Sequence, residues 1–214
     1  MSNTKTITRA GDIAGLLGSL IILSTFVLSM LFPSDDFPSA PIIGTGALLL
    51  LANVVSLLLQ RRGRPEALST LSLVVTMLGL ATITIFAVLD TLASMGISPT
   101  DTDGYWTVLM IALLLTILGL TLYAITASIA GVFPSWVALP LAFSGVLLLL
   151  SVPVLMMGVP NISVAVHDFI NMLSLILMMT FFALWGLMSA VGLRSSSVGT
   201  PTSSGLSPSP HIPT

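Results

Sequence analysis

The chain has 214 residues, 55% of them hydrophobic and 7% charged, with six basic and eight acidic side chains, a net charge of −2 and no cysteine. A water-facing domain carries about a quarter charged residues, and a mean hydropathy of +1.11 leaves lipid as the surrounding solvent. The missing cysteines exclude thiol nucleophiles, disulfides, Fe–S ligation and thiolate metal sites.

Taken in chain order, residues 1–12 form a short polar N-terminal segment with Lys5 and Arg9, and a first apolar stretch covers 13–32. The apolar core of a cleaved signal runs about 7–15 residues, so this longer stretch is expected to stay as a true span. Pro33, Asp35, Asp36 and Pro38 end it, and a second stretch covers 41–59. The turn Arg61-Arg62-Gly63-Arg64-Pro65 leads to a third at 67–89. Asp90 and the polar run Ser98 to Gly104 precede a fourth at 105–128, and Pro134 precedes a fifth at 136–157. Gly158, Pro160 and Asn161 separate that from a sixth at 169–193.

Each stretch has about the 20 residues that a helix rising 1.5 Å per residue needs to cross the hydrocarbon. Backbone polar groups find no partner in lipid, so continuous apolar spans must be helical, and the missing alternation rejects a β-barrel. The expected fold is all-α, a polytopic six-helix transmembrane bundle over 13–193 with short loops. Thr116 to Leu120 and Thr180 to Leu184 sit at matching places, a weak suggestion of three repeated hairpins. The Ser-, Thr-, Pro- and Gly-rich segment 194–214 reads as a disordered tail.

All six basic residues, Lys5, Arg9, Arg61, Arg62, Arg64 and Arg194, fall before the first span, between the second and third, or after the last. Six spans put those three places on one side, and the positive-inside rule makes it cytoplasmic. The expected location is the cell membrane, with both termini inside. Six of the acids (Asp35, Asp36, Asp90, Asp101, Asp103 and Asp168) fall on the other side. Nucleic-acid binding has no basic surface beyond the Arg61, Arg62, Arg64 turn, which topology already explains.

Small residues recur at fourfold spacing as Gly11, Gly15 and Ser19 in the first helix and as Gly186 and Ala190 in the sixth. Such stripes let helix backbones approach closely in lipid, against sister helices or, alternatively, against a second copy or another membrane subunit. Asn53 and Asn171 are costly amides in hydrocarbon, expected to face inward and bond to another helix. No ionisable residue is expected at mid-membrane, which argues against proton-coupled or voltage-sensing mechanisms.

One constellation could carry chemistry. Met156 and Met157 close the fifth helix, His167 and Asp168 open the sixth, and Met172 lies a turn deeper. Thioether and imidazole suit a soft metal such as Cu(I). Met as apolar filler and Asp as a helix cap explain the same residues without one, so the expectation is no metal and no cofactor. The sequon at Asn161 reads as chance. The leading functional expectation is a non-catalytic accessory, scaffold or lipid-interacting membrane protein. The alternatives are a small transporter or channel for a neutral or hydrophobic solute, and an enzyme at the outer rim using Asp90, His167 and Asp168.

Overall fold

In the computed structural model the described residues are 2–31, 39–60, 67–97, 102–157 and 164–198. They form six α-helices: α1 (Ser2–Leu31), α2 (Ser39–Gln60), α3 (Ala67–Ser94), α4 (Thr102–Ile129), α5 (Ser135–Met157) and α6 (Val164–Val198). Among the described residues there is no strand. The all-α bundle expected from the apolar runs is what the chain forms. The helices overrun those runs at both ends of the chain. α1 starts about ten residues before the first apolar stretch, and α6 carries on through Ser195 to Val198, into the segment expected to be a tail. The rest of that segment, with the turn Arg61, Arg62, Arg64, lies outside the described residues.

Two helix ends show why the chain turns where it does. Gly96 and Gly131 have φ of 74° and 64°, a conformation that costs a side-chain-bearing residue energy but suits glycine. At each, the next residue's amide reaches back five positions, Ile97 N to Leu92 O at 3.0 Å and Val132 N to Ala127 O at 2.9 Å. Orphan carbonyls at the helix end are thereby satisfied. Pro134 then starts α5, its carbonyl accepting from Val137 and Ala138.

The helices close into a ring. Each packs on its neighbours in sequence, and α6 packs on α1, while no opposite pair such as α3 and α6 brings its backbones within 8 Å among the described residues. Neighbours run antiparallel, as paired positions show. Gly11 lies against Ser56 and Gly15 against Asn53 in α1 and α2, while Asp12 faces Gly192 and Ser19 faces Gly186 in α1 and α6. α4 and α6 are therefore parallel, so the chain between them must return across the bundle, and α5 is the helix that does so.

The centre is filled by Leu50, Leu73, Ile117, Leu141, Phe181 and Trp185, all completely buried. Phe182 stacks on Trp185 at 6.2 Å and tilts toward Phe26 of α1 at 6.4 Å. The outer wall inverts the pattern of a water-soluble protein. On α3, Ser69, Ser72, Thr76 and Gly79 are buried, whereas Leu71, Leu78 and Ile85 are more than half exposed. An apolar wall around a core containing small polar residues fits a surround of lipid tails and would aggregate in water. Five helices are each long and apolar enough to cross a bilayer. The protein is a multi-pass membrane protein.

Small residues set the closest approaches. α3 and α4 each carry Thr-x-Leu-Gly-Leu, at 76–80 and 116–120, and the two copies pack reciprocally. A Cβ on Gly79 would meet Thr116 and lie 2.5 Å from the Ala112 carbonyl; one on Gly119 would meet Thr76 and lie 2.6 Å from the Ser72 carbonyl. The threonine hydroxyls do not cross the gap. Thr76 donates to Ser72 O and Thr116 to Ala112 O, each at 2.9 Å within its own helix. The contact is thus backbone on backbone, with the polar atoms already satisfied.

Candidate functional site

Polar side chains converge at one place, the half of the bundle where α1 begins and α2 and α6 end. Asn53 on α2 is its centre. The Asn53 amide nitrogen donates to Gly11 O of α1 at 2.9 Å, and its carbonyl oxygen accepts from Trp185 Nε1 of α6 at 3.1 Å. Both side chains are almost wholly buried. One amide thus joins three helices, and it fixes the Trp185 indole, whose single donor would otherwise be stranded in an apolar interior. A turn further along, Ser56 of α2 donates to Ile7 O of α1 at 3.2 Å.

The expected small-residue stripes are what allow this convergence. Gly11 makes room for Ser56, and Gly15 leaves space occupied by Asn53 and by Ser189 of α6; a Cβ on Gly186 would sit 3.1 Å from that of Ser19. Ser19 turns its hydroxyl onto Gly15 O at 2.8 Å. The faces carrying Gly11, Gly15, Ser19 and Gly186 are buried within the chain, whereas Ala190 is half-buried. They pack within the chain. Ser189 Oγ and, higher on the same helix, Ser174 Oγ are buried without a hydrogen-bond partner.

The structure also draws into the packed start of α1 an ionisable group that the sequence left in the N-terminal segment. Asp12 of α1 is 4% exposed, inside the apolar segment Thr6–Leu28, with both carboxylate oxygens 3.0 Å from where a Cβ on Gly192 would sit. A glycine in α6 makes the space for that carboxylate. Sequence reasoning left Asp12 in the N-terminal segment because it precedes the first apolar residue by one position. The available signal was its spacing from Gly11 and Gly15, which puts it beside the close-packing face.

The two amides part company. Asn53 faces inward as expected. Asn171 does not: it lies on the exposed side of α6, between the exposed Phe169 and Met172. It is only seven residues from the start of α6, where an amide can reach the interfacial layer rather than a sister helix.

The outer-rim set is divided between two helices. Asp90, half-buried, lies on α3, and His167 and Asp168 lie on α6, the helix on the opposite side of the ring. α3 and α6 are not neighbours in the ring. Met172 is 53% exposed and points away from the core. The side chains of Met156, Met157, His167 and Asp168 lie outside the described residues.

A second feature, not foreseen from the sequence, is a groove of about 330 Å³ between the start of α2 and the end of α3. Thr45 and Leu48 form one wall, with Thr84, Val88, Thr91 and Met95 opposite. At its floor Gly44 rests against the Ala87 methyl. Leu48, Val88 and Met95 are each more than half exposed, so the groove opens on the outer wall and not on the ring's centre.

No family model, curated protein or solved structure matches the chain.

Proposed function

We propose that the protein is a non-catalytic component of the cell membrane, acting as an accessory, scaffold or lipid-interacting subunit. The observation that carries this reading is a ring whose centre is packed with completely buried Leu, Ile, Phe and Trp side chains, while the groove between α2 and α3 opens on the outer wall. A solute pathway needs polar groups at successive depths facing a common space. Here the polar junction occupies one end, and hydroxyls at other depths bond within their own helices, as Thr121 does to Ile117 O and Ser144 to Leu141 O.

In this reading all six helices cross, with the parallel course of α4 and α6 supporting the fifth crossing. The ends of α2 and α6 and the start of α1 share the face that carries every basic residue, so that face is cytoplasmic. The experiment is purification in mild detergent with identification of the proteins and lipids retained, alongside solute-efflux measurements on vesicles containing the protein. Stoichiometric retention of a partner subunit or lipid without efflux is expected. Saturable efflux of a neutral solute would overturn the reading in favour of a transporter.

A further inference from the structure

We infer that the groove between α2 and α3 is a binding site for one hydrocarbon chain of a bilayer lipid, from the leaflet in which α2 begins and α3 ends. The inference deepens the lipid-interacting reading by giving it a place. Three observations carry it.

The first is shape. The α3 wall runs from Thr84 to Met95, about 16 Å at 1.5 Å per residue. Dividing the volume of about 330 Å³ by that length gives a cross-section of about 20 Å², roughly 5 Å across. Carbon atoms pack at about 3.5–4.0 Å, so one extended methylene chain fills such a channel. A helix, about 10–12 Å wide with its side chains, does not enter it.

The second is the chemistry of the walls. Three threonines line the groove, and each hydroxyl is already committed to its own helix: Thr45 to Pro41 O and Thr84 to Leu80 O at 2.8 Å, Thr91 to Ala87 O at 2.7 Å. What remains for a ligand is mostly methyl and methylene surface, with the three threonine oxygens as acceptors and no hydroxyl hydrogen free to donate. Such walls reward a hydrocarbon and give no donor to a phosphate or to the carbonyls of a peptide backbone, which would go unpaired.

The third is position. The groove lies along segments apolar enough to be in the bilayer, Ala40–Leu59 and Ala67–Ser94, and it opens on the wall that faces lipid. A chain reaches it by lateral diffusion without leaving the hydrocarbon. Bulk lipid is as apolar as the groove, so the preference comes from closer dispersion contacts and not from burial away from water. The enrichment is therefore several-fold and not orders of magnitude.

The test uses the full-length protein in phosphatidylcholine vesicles containing a phosphatidylcholine with a photoactivatable diazirine midway along one acyl chain. Adducts are mapped by peptide mass spectrometry. Residues 41–48 and 84–95 should carry adducts at least about threefold more densely than equally exposed apolar residues elsewhere, the factor expected from a handful of extra carbon contacts. Thr84→Phe, which fills the groove, should bring this to the level of the rest of the wall, and Leu78→Phe on the open face of α3 should not. Thr45→Phe fills the groove from the other helix and gives the same reading if Thr84→Phe fails to fold.

Adducts spread in proportion to exposure, or no change on filling, would each overturn the inference. Failure here leaves the non-catalytic reading standing if efflux is absent. Efflux with a labelled groove would sink that reading and leave the lipid site intact.

Discussion

Replacing Asn53 by leucine tests the three-helix junction most directly. Leucine keeps the branching of the side chain and its fit beside Gly15, so packing changes little while both polar atoms are lost. Two interhelical hydrogen bonds disappear, to Gly11 O and from Trp185 Nε1, each worth about 0.6 kcal/mol on average between membrane helices. The Gly11 carbonyl keeps its place in the α1 ladder, but the buried indole N–H is left unpaired, adding about 1–2 kcal/mol. The sum is about 2–3 kcal/mol, at or above the top of the range for one interhelical bond. Asn171→Leu, on the exposed side of α6, should stay within about 0.5 kcal/mol of the parent. Reversible unfolding in mixed micelles, followed by circular dichroism as the denaturing detergent fraction rises, measures both. A cycle with Trp185→Phe isolates the pair. Removing the indole donor should make the second change at Asn53 cost about 1 kcal/mol less than alone. Equal costs for Asn53→Leu and Asn171→Leu, or a coupling indistinguishable from zero, would refute the reasoning.

Gly79→Ala and Gly119→Ala force a methyl onto backbone atoms of the facing helix, and should each lower stability by more than about 2 kcal/mol. Gly131→Ala, with open space around it but a φ of 64°, should cost about 1 kcal/mol through backbone strain alone; thermal unfolding in detergent separates the two classes. Because the chain has no cysteine, single cysteines at Ser2, Val198 and Met95 give an unambiguous map with membrane-impermeant thiol reagents. The first two should react from the cytoplasmic side and the third from the other, and reaction of Ser2 and Val198 from opposite sides would break the even number of crossings. Truncation after Val198 should leave the unfolding transition unchanged, since residues 199–214 have almost no apolar surface to bury; aggregation of the shortened chain would show otherwise.

The helices themselves were legible because hydropathy and length are written locally. Every one of the six apolar runs became a helix, with ends within a few residues except where α1 and α6 continue into polar sequence. Facing was not legible. A helix that is apolar all round leaves no stripe to say which side meets lipid, so Asn171 and Asn53 looked alike, although one is exposed and the other joins three helices. The small-residue stripes were read for what they do in the bundle, but their partners were hidden, because Gly15 meets Asn53 across 38 positions of chain and Ser189 across 174. A clearer local signal went unused. Thr-x-Leu-Gly-Leu occurs in both α3 and α4, whereas the match drawn between α4 and α6 rested on generic apolar residues. The groove could not have been foreseen, since it depends on where Gly44 and Ala87 bring two helices together and where those helices then part.

Closure of the ring has a consequence for biogenesis. The helices leave the ribosome in order, and α1 and α2 can associate early through Gly18 and Gly46. The Asn53 carbonyl, however, has its partner on the last helix, 132 residues downstream. Until α6 is inserted, the half-made bundle presents an unsatisfied amide oxygen at its open seam, and Asp12 lacks the α6 backbone that will cover it. Arrival of Trp185 satisfies that oxygen, so the three-helix junction closes only with the last helix.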